Sequence, residues 1–183
     1  MNVANLFATP IAVFDDVSLT PDLIATIAEA AIKNANDSPD WDCNIQTTFA
    51  VDSKFHTKPQ LAEFTARIEE SASDYSRYIW GRKAKIRHCW ANKAESNQYQ
   101  EYHNHLGKAI DFCGCYYPQI PEKESIIFHS PFQNITNINQ NDVVLIGLKQ
   151  NRLVVFPSYL AHSFKAIKRD IPKISIAFNF QLV

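Results

Sequence analysis

The stretch Lys173-Ile174-Ser175-Ile176-Ala177-Phe178-Asn179-Phe180 decides the fold. Its β-branched and aromatic residues recur at every second position, and a strand sends successive side chains to opposite faces. One face is then Ile174, Ile176, Phe178 and Phe180, wholly apolar and suited to burial against another layer. The opposite face, Lys173, Ser175, Ala177 and Asn179, is small and polar. On so β-prone a segment, a polar face either lines a pocket or meets solvent. If it lines a pocket, the lysine supplies a fixed positive charge and Ser175 a hydroxyl donor, a pair suited to a carboxylate.

Working outward, the period of two recurs in Phe112–Tyr117, Ser125–His129, Val143–Leu148 and Leu153–Phe156. It begins near Lys85, where Ile86, His88, Trp90 and Asn92 alternate with Arg87, Cys89 and Ala91. Pro118, Pro121, Pro131, the Asn-rich run 134–141 and Pro157 break these segments apart. Many short strands between turn signals predict a β-sandwich or jelly roll. The first ninety residues carry the helical signals instead. Thr20-Pro21-Asp22 reads as an N-cap, a proline at the first helical position and an acid in the first turn, and Ile24, Ile27, Ala28, Ala31 and Ile32 then share one face. A second helix starts near Pro59, with Leu61, Phe64, Ile68, Ala72, Tyr75 and Ile79 at steps of three and four, and Gly81 is its stop. Two amphipathic helices ahead of the strands can cover one outer sheet face.

Composition fits one domain: 183 residues, 46% apolar and 20% charged, with a net charge of −1. Acids and bases are scattered, which predicts no nucleic-acid footprint. No apolar run approaches the roughly 20 residues of a membrane helix, and the N-terminus lacks the basic start and apolar run of a signal peptide. The expected location is therefore cytoplasmic, or the host cytoplasm if the source is a phage. Cys43, Cys89, Cys113 and Cys115 are expected to stay reduced there. Cys113 and Cys115 read as buried strand thiols rather than half a zinc site.

Three of the six histidines suggest chemistry. His103 and His105 lie two apart in the extended-looking QYQEYHNHLG, so a strand would put both imidazoles on one face. His162 follows Phe156-Pro157-Ser158 at the end of another strand. Three ligands on one side of an ion leave positions open for substrate and O2. An H-x-H pair is by itself a weak signal, equally compatible with exposed or packed histidines. Glu101 shares the parity of His103 and is a candidate to orient its imidazole, and His88 shares that of Trp90 and Asn92 and is a candidate cavity residue. Tyr99 and Tyr102 flank the metal strand and read first as packing, Tyr116 as outward packing, and His56 and His129 as structural.

Residues 84–183 resemble the iron(II)/2-oxoglutarate dioxygenases, and more narrowly a family of 2-oxoglutarate–Fe(II) oxygenases of marine bacteria and phages. The resemblance rests on Leu6-Phe7-Ala8-Thr9-Pro10, Trp90-Ala91-Asn92, His103-Asn104-His105 and Phe112-Cys113-Gly114-Cys115-Tyr116-Tyr117. It continues through Phe156-Pro157-Ser158-Tyr159-Leu160-Ala161-His162 and Lys173 to Asn179. It implies a mainly β fold, a double-stranded β-helix (jelly roll) with supporting N-terminal α-helices. The whole chain, 1–183, would be one domain, with helical support about 20–81 and the β-helix core about 84–183. Implied cofactors are Fe(II) and the cosubstrate 2-oxoglutarate, with O2 as co-reactant.

By position His103 and His162 match the two histidine ligands. His105 stands where the wider superfamily keeps a carboxylate, and the narrower family carries histidine there too; Asp111 is the rival third ligand. Lys173 and Ser175 match the basic residue and hydroxyl that hold the far carboxylate of 2-oxoglutarate, with Arg169 a rival expected to face solvent. Tyr117 matches a tyrosine that touches the same carboxylate, and Asn92 is assigned to the cosubstrate on the W-x-N match. The implied activity is hydroxylation, related folds suggesting a prolyl or other protein side chain as substrate; a homodimer is among the expected assemblies. Two other classes stay open from the residues: a cupin-like metalloenzyme without 2-oxoglutarate, and a non-catalytic jelly-roll binding or structural module.

Overall fold

The computed structural model describes residues 8–37, 41–131 and 143–183. In chain order the elements are β1 (Ala12–Phe14), α1 (Pro21–Asn34), β2 (Asn36–Asp37), β3 (Gln46–Thr47) and α2 (Ala62–Trp80). Then follow β4 (Ala84–Ala94), β5 (Gln100–His103), β6 (Phe112–Gln119), β7 (Ser125–His129), β8 (Val143–Gly147), β9 (Arg152–Pro157), β10 (His162–Phe164) and β11 (Lys173–Leu182). Both helices obey their sequence signals. The Thr20 hydroxyl accepts from the Leu23 amide at 3.3 Å ahead of Pro21. Gly81 closes α2 in the left-handed conformation, φ +68°, at no Cβ cost. Pro59–Leu61 forms a 3₁₀ turn rather than the first turn of α2. No described helix is long and apolar enough to cross a membrane.

The strands form two antiparallel sheets, one ordered β1-β9-β6-β11-β4-β3-β2 and the other β5-β10-β7-β8. The large sheet is covered on one side by the helices and on the other by the small sheet, so its central strands are buried on both faces. Ile174, Ile176, Phe178 and Phe180 pack with Phe64 and Ile68 of α2 and Ile27 of α1. Trp90, Cys113, Cys115, Tyr117 and Ala177 pack the other way, with Ile126 and Phe128 of β7. This is the jelly roll with helical support that the alternation predicts. Gly114 lets β6 lie this close: a Cβ there would meet the Val154 carbonyl at 3.1 Å and the Phe180 ring at 3.2 Å.

Two local expectations change. β6 runs through Pro118 to Gln119, because its pairing with β11 is irregular between Ile174 and Ile176 and leaves the missing proline N–H without a lost ladder bond. The alternation along β4 also breaks: Ile86 faces the helices with Cys89 and Ala91, whereas Trp90 faces the small sheet. The register of β4 and β11 slips by one residue between His88 and Ile86, which inverts the parity there.

Candidate active site

His103 ends β5 and His162 opens β10, and the two are direct cross-strand partners. His162 thus belongs to a short strand of its own, four residues beyond the Ser158 where β9 has already ended. His105 lies past the end of β5, so strand parity does not place it. Its backbone amide instead donates to the Ser158 carbonyl at 2.9 Å, which holds the chain extended and turns the ring inward. The three ring centroids stand 4.3 Å (His103–His162), 5.3 Å (His103–His105) and 5.2 Å (His105–His162) apart. One ring nitrogen from each lies within 4.8 Å of the others.

The tautomers follow from the acceptors around them. His103 Nδ1 faces the Glu101 carbonyl at 2.9 Å, His162 Nδ1 the Leu160 carbonyl at 3.2 Å, and His105 Nδ1 the Asn179 Oδ1 at 2.7 Å. Carbonyl oxygens only accept, so each Nδ1 carries a proton and each ring turns its Nε2 away from that acceptor. The Cys113 thiol also donates to the Asn179 Oδ1, at 3.4 Å. Burial, reinforced by the neighbouring imidazoles, holds the His162 pKa well below the usual histidine range. Burial pushes His105 down to about 4 against the Asn179 bond. His105 and His162 are thereby held as neutral nitrogen donors, the form a divalent metal binds.

Asp111 is not part of this group. Its carboxylate accepts from the Leu182 amide at 2.7 Å, and it lines a separate surface cavity with Trp80 and Tyr159. Glu101 orients His103 through its backbone carbonyl, not its carboxylate as parity suggested. His88 lines neither cavity at the histidines and has Lys54 and Arg87 as its charged neighbours. Tyr99 bonds to the Asp42 carbonyl, and Tyr102 packs edge-on against His129, both at the surface.

Beside the histidines, a narrow cavity between the sheets is lined by Lys173, Ser175, Tyr117 and Asn92 together with His103, His105 and His162. The polar side of β11 therefore meets a pocket, not solvent. Asn92 turns its Oδ1 to the Thr47 hydroxyl at 2.7 Å, so its amide hydrogens are what it can offer the cavity. Lys173 is 3% exposed, with Nζ 3.7 Å from the Phe164 ring centroid and 3.6 Å from Glu124 Oε2. Burial pulls its pKa down to about 8, with Arg169 adding to the fall and Glu124 opposing it.

Arg169 does not face solvent. Its guanidinium is buried, donates to the Glu124 carboxylate and to the Glu95, Gln98 and Lys165 carbonyls, and ties the β10–β11 loop to the β4–β5 loop. Glu124 is thus shared by two buried cations, Arg169 and Lys173, which leaves one excess positive charge in the cluster. Sequence reading did not single out Glu124, because its partners lie 45 and 49 residues away and no local pattern links them. It also passed over the Trp90 indole N–H, which is buried without a partner among the described residues and borders the same cavity.

The chain was compared with known proteins. Residues 88–179, just over half of the sequence, match the family model described as "Putative 2OG-Fe(II) oxygenase". The chain belongs to this family. All three histidines, Lys173 and Ser175 fall inside the matched segment. No curated protein matches the sequence significantly. Among solved structures, the oxygenase is similar to a Pseudomonas putida prolyl-4-hydroxylase at TM-score 0.65 and 12% identity, covering 93% of this chain and 91% of that one. It is similar to HygX from Streptomyces hygroscopicus, solved with nickel and 2-oxoglutarate bound, at 0.69 and 9%, covering 94% and 83%. The viral collagen prolyl hydroxylase of Paramecium Bursaria Chlorella virus-1, in its 2-oxoglutarate complex, gives 0.61 and 14%, covering 94% and 96%. At these identities the likeness establishes the shared fold. As a 2OG-Fe(II) oxygenase, the protein is an enzyme with Fe(II) and 2-oxoglutarate as its cofactor and cosubstrate.

Proposed function

We propose that the oxygenase hydroxylates a C–H bond of an organic substrate, with His103, His105 and His162 as the Fe(II) ligands and Lys173, Ser175, Tyr117 and Asn92 as the 2-oxoglutarate site. The observation that carries this reading is the set of three imidazoles whose Nδ1–H groups all meet carbonyl acceptors, leaving three Nε2 lone pairs for one ion. The second support is the excess buried charge of Lys173, which a carboxylate neutralises.

When bound, Fe(II) and 2-oxoglutarate together supply O2 activation and oxygen insertion, the cosubstrate leaving as succinate and CO2. The chain's residues provide the setting. The histidine trio adds no negative charge, so a bound ion would stay more Lewis acidic than one with a carboxylate among its ligands. The Lys173 ammonium, over the Phe164 ring, and the Ser175 hydroxyl would hold the far carboxylate of 2-oxoglutarate, with Tyr117 lining the same cavity. Phe164, Trp90 and Ile126 keep water from the same space. Prolyl hydroxylases among the fold neighbours make a prolyl residue in a peptide one substrate to test.

Anaerobic addition of Fe(II) and 2-oxoglutarate should produce the weak visible charge-transfer band of the chelate, and His162→Ala should abolish it. Folded wild-type protein that takes up metal but shows no band and no 2-oxoglutarate binding refutes this reading in favour of a cupin-like metalloenzyme.

A further inference from the structure

A second, wider cavity of ≈ 280 Å³ opens on the other side of His103 and His105. Its walls are of two kinds. Trp41, Phe49 and Trp90 form one continuous aromatic surface, with ring centroids 5.7 Å and 5.0 Å apart along the series. Glu101 is the one formally charged side chain among its described lining residues, and no lysine or arginine is among them. Burial, and after it the nearby Glu101 carboxylate, pushes the Cys43 thiol up to about 12. One oxygen of the Glu101 carboxylate, Oε2, is buried and has no hydrogen-bond partner among the described residues. A carboxylate oxygen shut away from water without a donor is costly. Glu101 lies on β5 two residues before His103 and lines this cavity together with it.

Aromatic rings beside an unsatisfied carboxylate form a receptor for an organic cation: the rings attract the charge through their quadrupoles and the carboxylate accepts its N–H groups. A neutral or anionic ligand would leave Glu101 unpaired. We propose that the prime substrate carries an ammonium or guanidinium group that sits against Glu101 among Trp41, Phe49 and Trp90, holding a neighbouring C–H bond toward the histidine trio. This rests on the oxygenase reading for its catalytic meaning, but the cation site itself is a binding property testable without turnover. It also assigns selectivity to Trp41, Phe49 and Glu101, none of which lines the cosubstrate cavity.

The test is calorimetric titration of the full chain, with and without anaerobic Fe(II) and 2-oxoglutarate, using Nα-acetyl-lysine amide and its neutral isostere Nα-acetyl-norleucine amide. Wild type should bind the lysine derivative about tenfold or more tightly than the isostere. Glu101→Gln should erase that preference while leaving the isostere unchanged, and Phe49→Leu should weaken the cation a few-fold. Thermal unfolding checks that both variants fold. A lysine-containing pentapeptide that binds tighter than the single residue would identify a protein substrate, whereas equal binding would identify a small amine; either supports the site. Equal affinity for cation and isostere, wild-type preference in Glu101→Gln, or no cation binding at millimolar concentration overturns it. The charge-transfer band is read in the same samples: if it forms while the cation fails to bind, the cation site alone is wrong, and if it is absent while the cation binds, the oxygenase reading is wrong.

Discussion

The two faces of β11 are one backbone put to opposite uses. Ile174, Ile176, Phe178 and Phe180 are fully buried against the helices, where they meet only carbon. Lys173, Ser175, Ala177 and Asn179 are nearly as buried, yet they meet a cavity, an ion pair and a histidine. Equal burial therefore carries unequal meaning: on one side it removes apolar area from water, and on the other it withholds solvation from groups that a ligand must then satisfy. The contrast predicts that substitutions on the first face cost stability, and that those on the second cost binding.

The sharpest attempt to break this contrast is Phe178→Ala. It should lower stability by about 3–5 kcal/mol, read as a shifted midpoint in denaturant unfolding, because the ring packs on Phe64 and Phe180 in a core with no room to relax. On the other face, Lys173→Met should raise the KM for 2-oxoglutarate by about 10- to 100-fold, the worth of a charged hydrogen bond. It should leave unfolding midpoints unchanged or higher, since Glu124 keeps Arg169 and a desolvated charge is gone. A marked loss of stability there would erase the distinction between the faces.

Lys173 also gives the contrast a pH signature. With its pKa pulled down to about 8 in the fold, the ammonium is progressively lost as pH rises through 8, and KM for 2-oxoglutarate should climb there. The stability effect has the opposite sign. Between about 8 and the usual lysine value near 10.5 the unfolded chain holds a proton that the folded chain has released, so stability rises with pH across that window. Lys173→Met should abolish both trends. Asn179→Ala, which frees His105 Nδ1, should weaken metal affinity by about tenfold, measured by competition with a chelating dye. The smallest change is expected for Ser175→Ala, about 1 kcal/mol in 2-oxoglutarate affinity by calorimetry.

Much of this architecture is legible in the chain. Alternation in residues 112–117 and 173–180, the Thr20 cap and the Gly81 stop are local signals, and they survive into the fold because tertiary packing agrees with them. What escaped reading was relational. A one-residue slip near Arg87 reverses parity in β4, and nothing in the sequence marks it. His105 reaches the trio through a backbone bond to Ser158, not through strand geometry. Arg169 resembles a turn residue beside Pro172 until the fold brings Glu124, Glu95 and Gln98 around it. Trp41 and Phe49 carry no periodic or motif signal in the sequence; only the folded chain sets them beside Glu101.

The three carbonyl acceptors behind the imidazoles carry a final consequence, for metal choice. A pre-set trio of neutral nitrogen donors offers no oxygen ligand that would favour harder ions. Nitrogen sites follow the series in which nickel and copper outrank iron and zinc exceeds it too. Left to equilibrium with all of these, the pocket would fill with the wrong ion. With the proposed ligand set, iron loading would depend on which metal is free when the site fills.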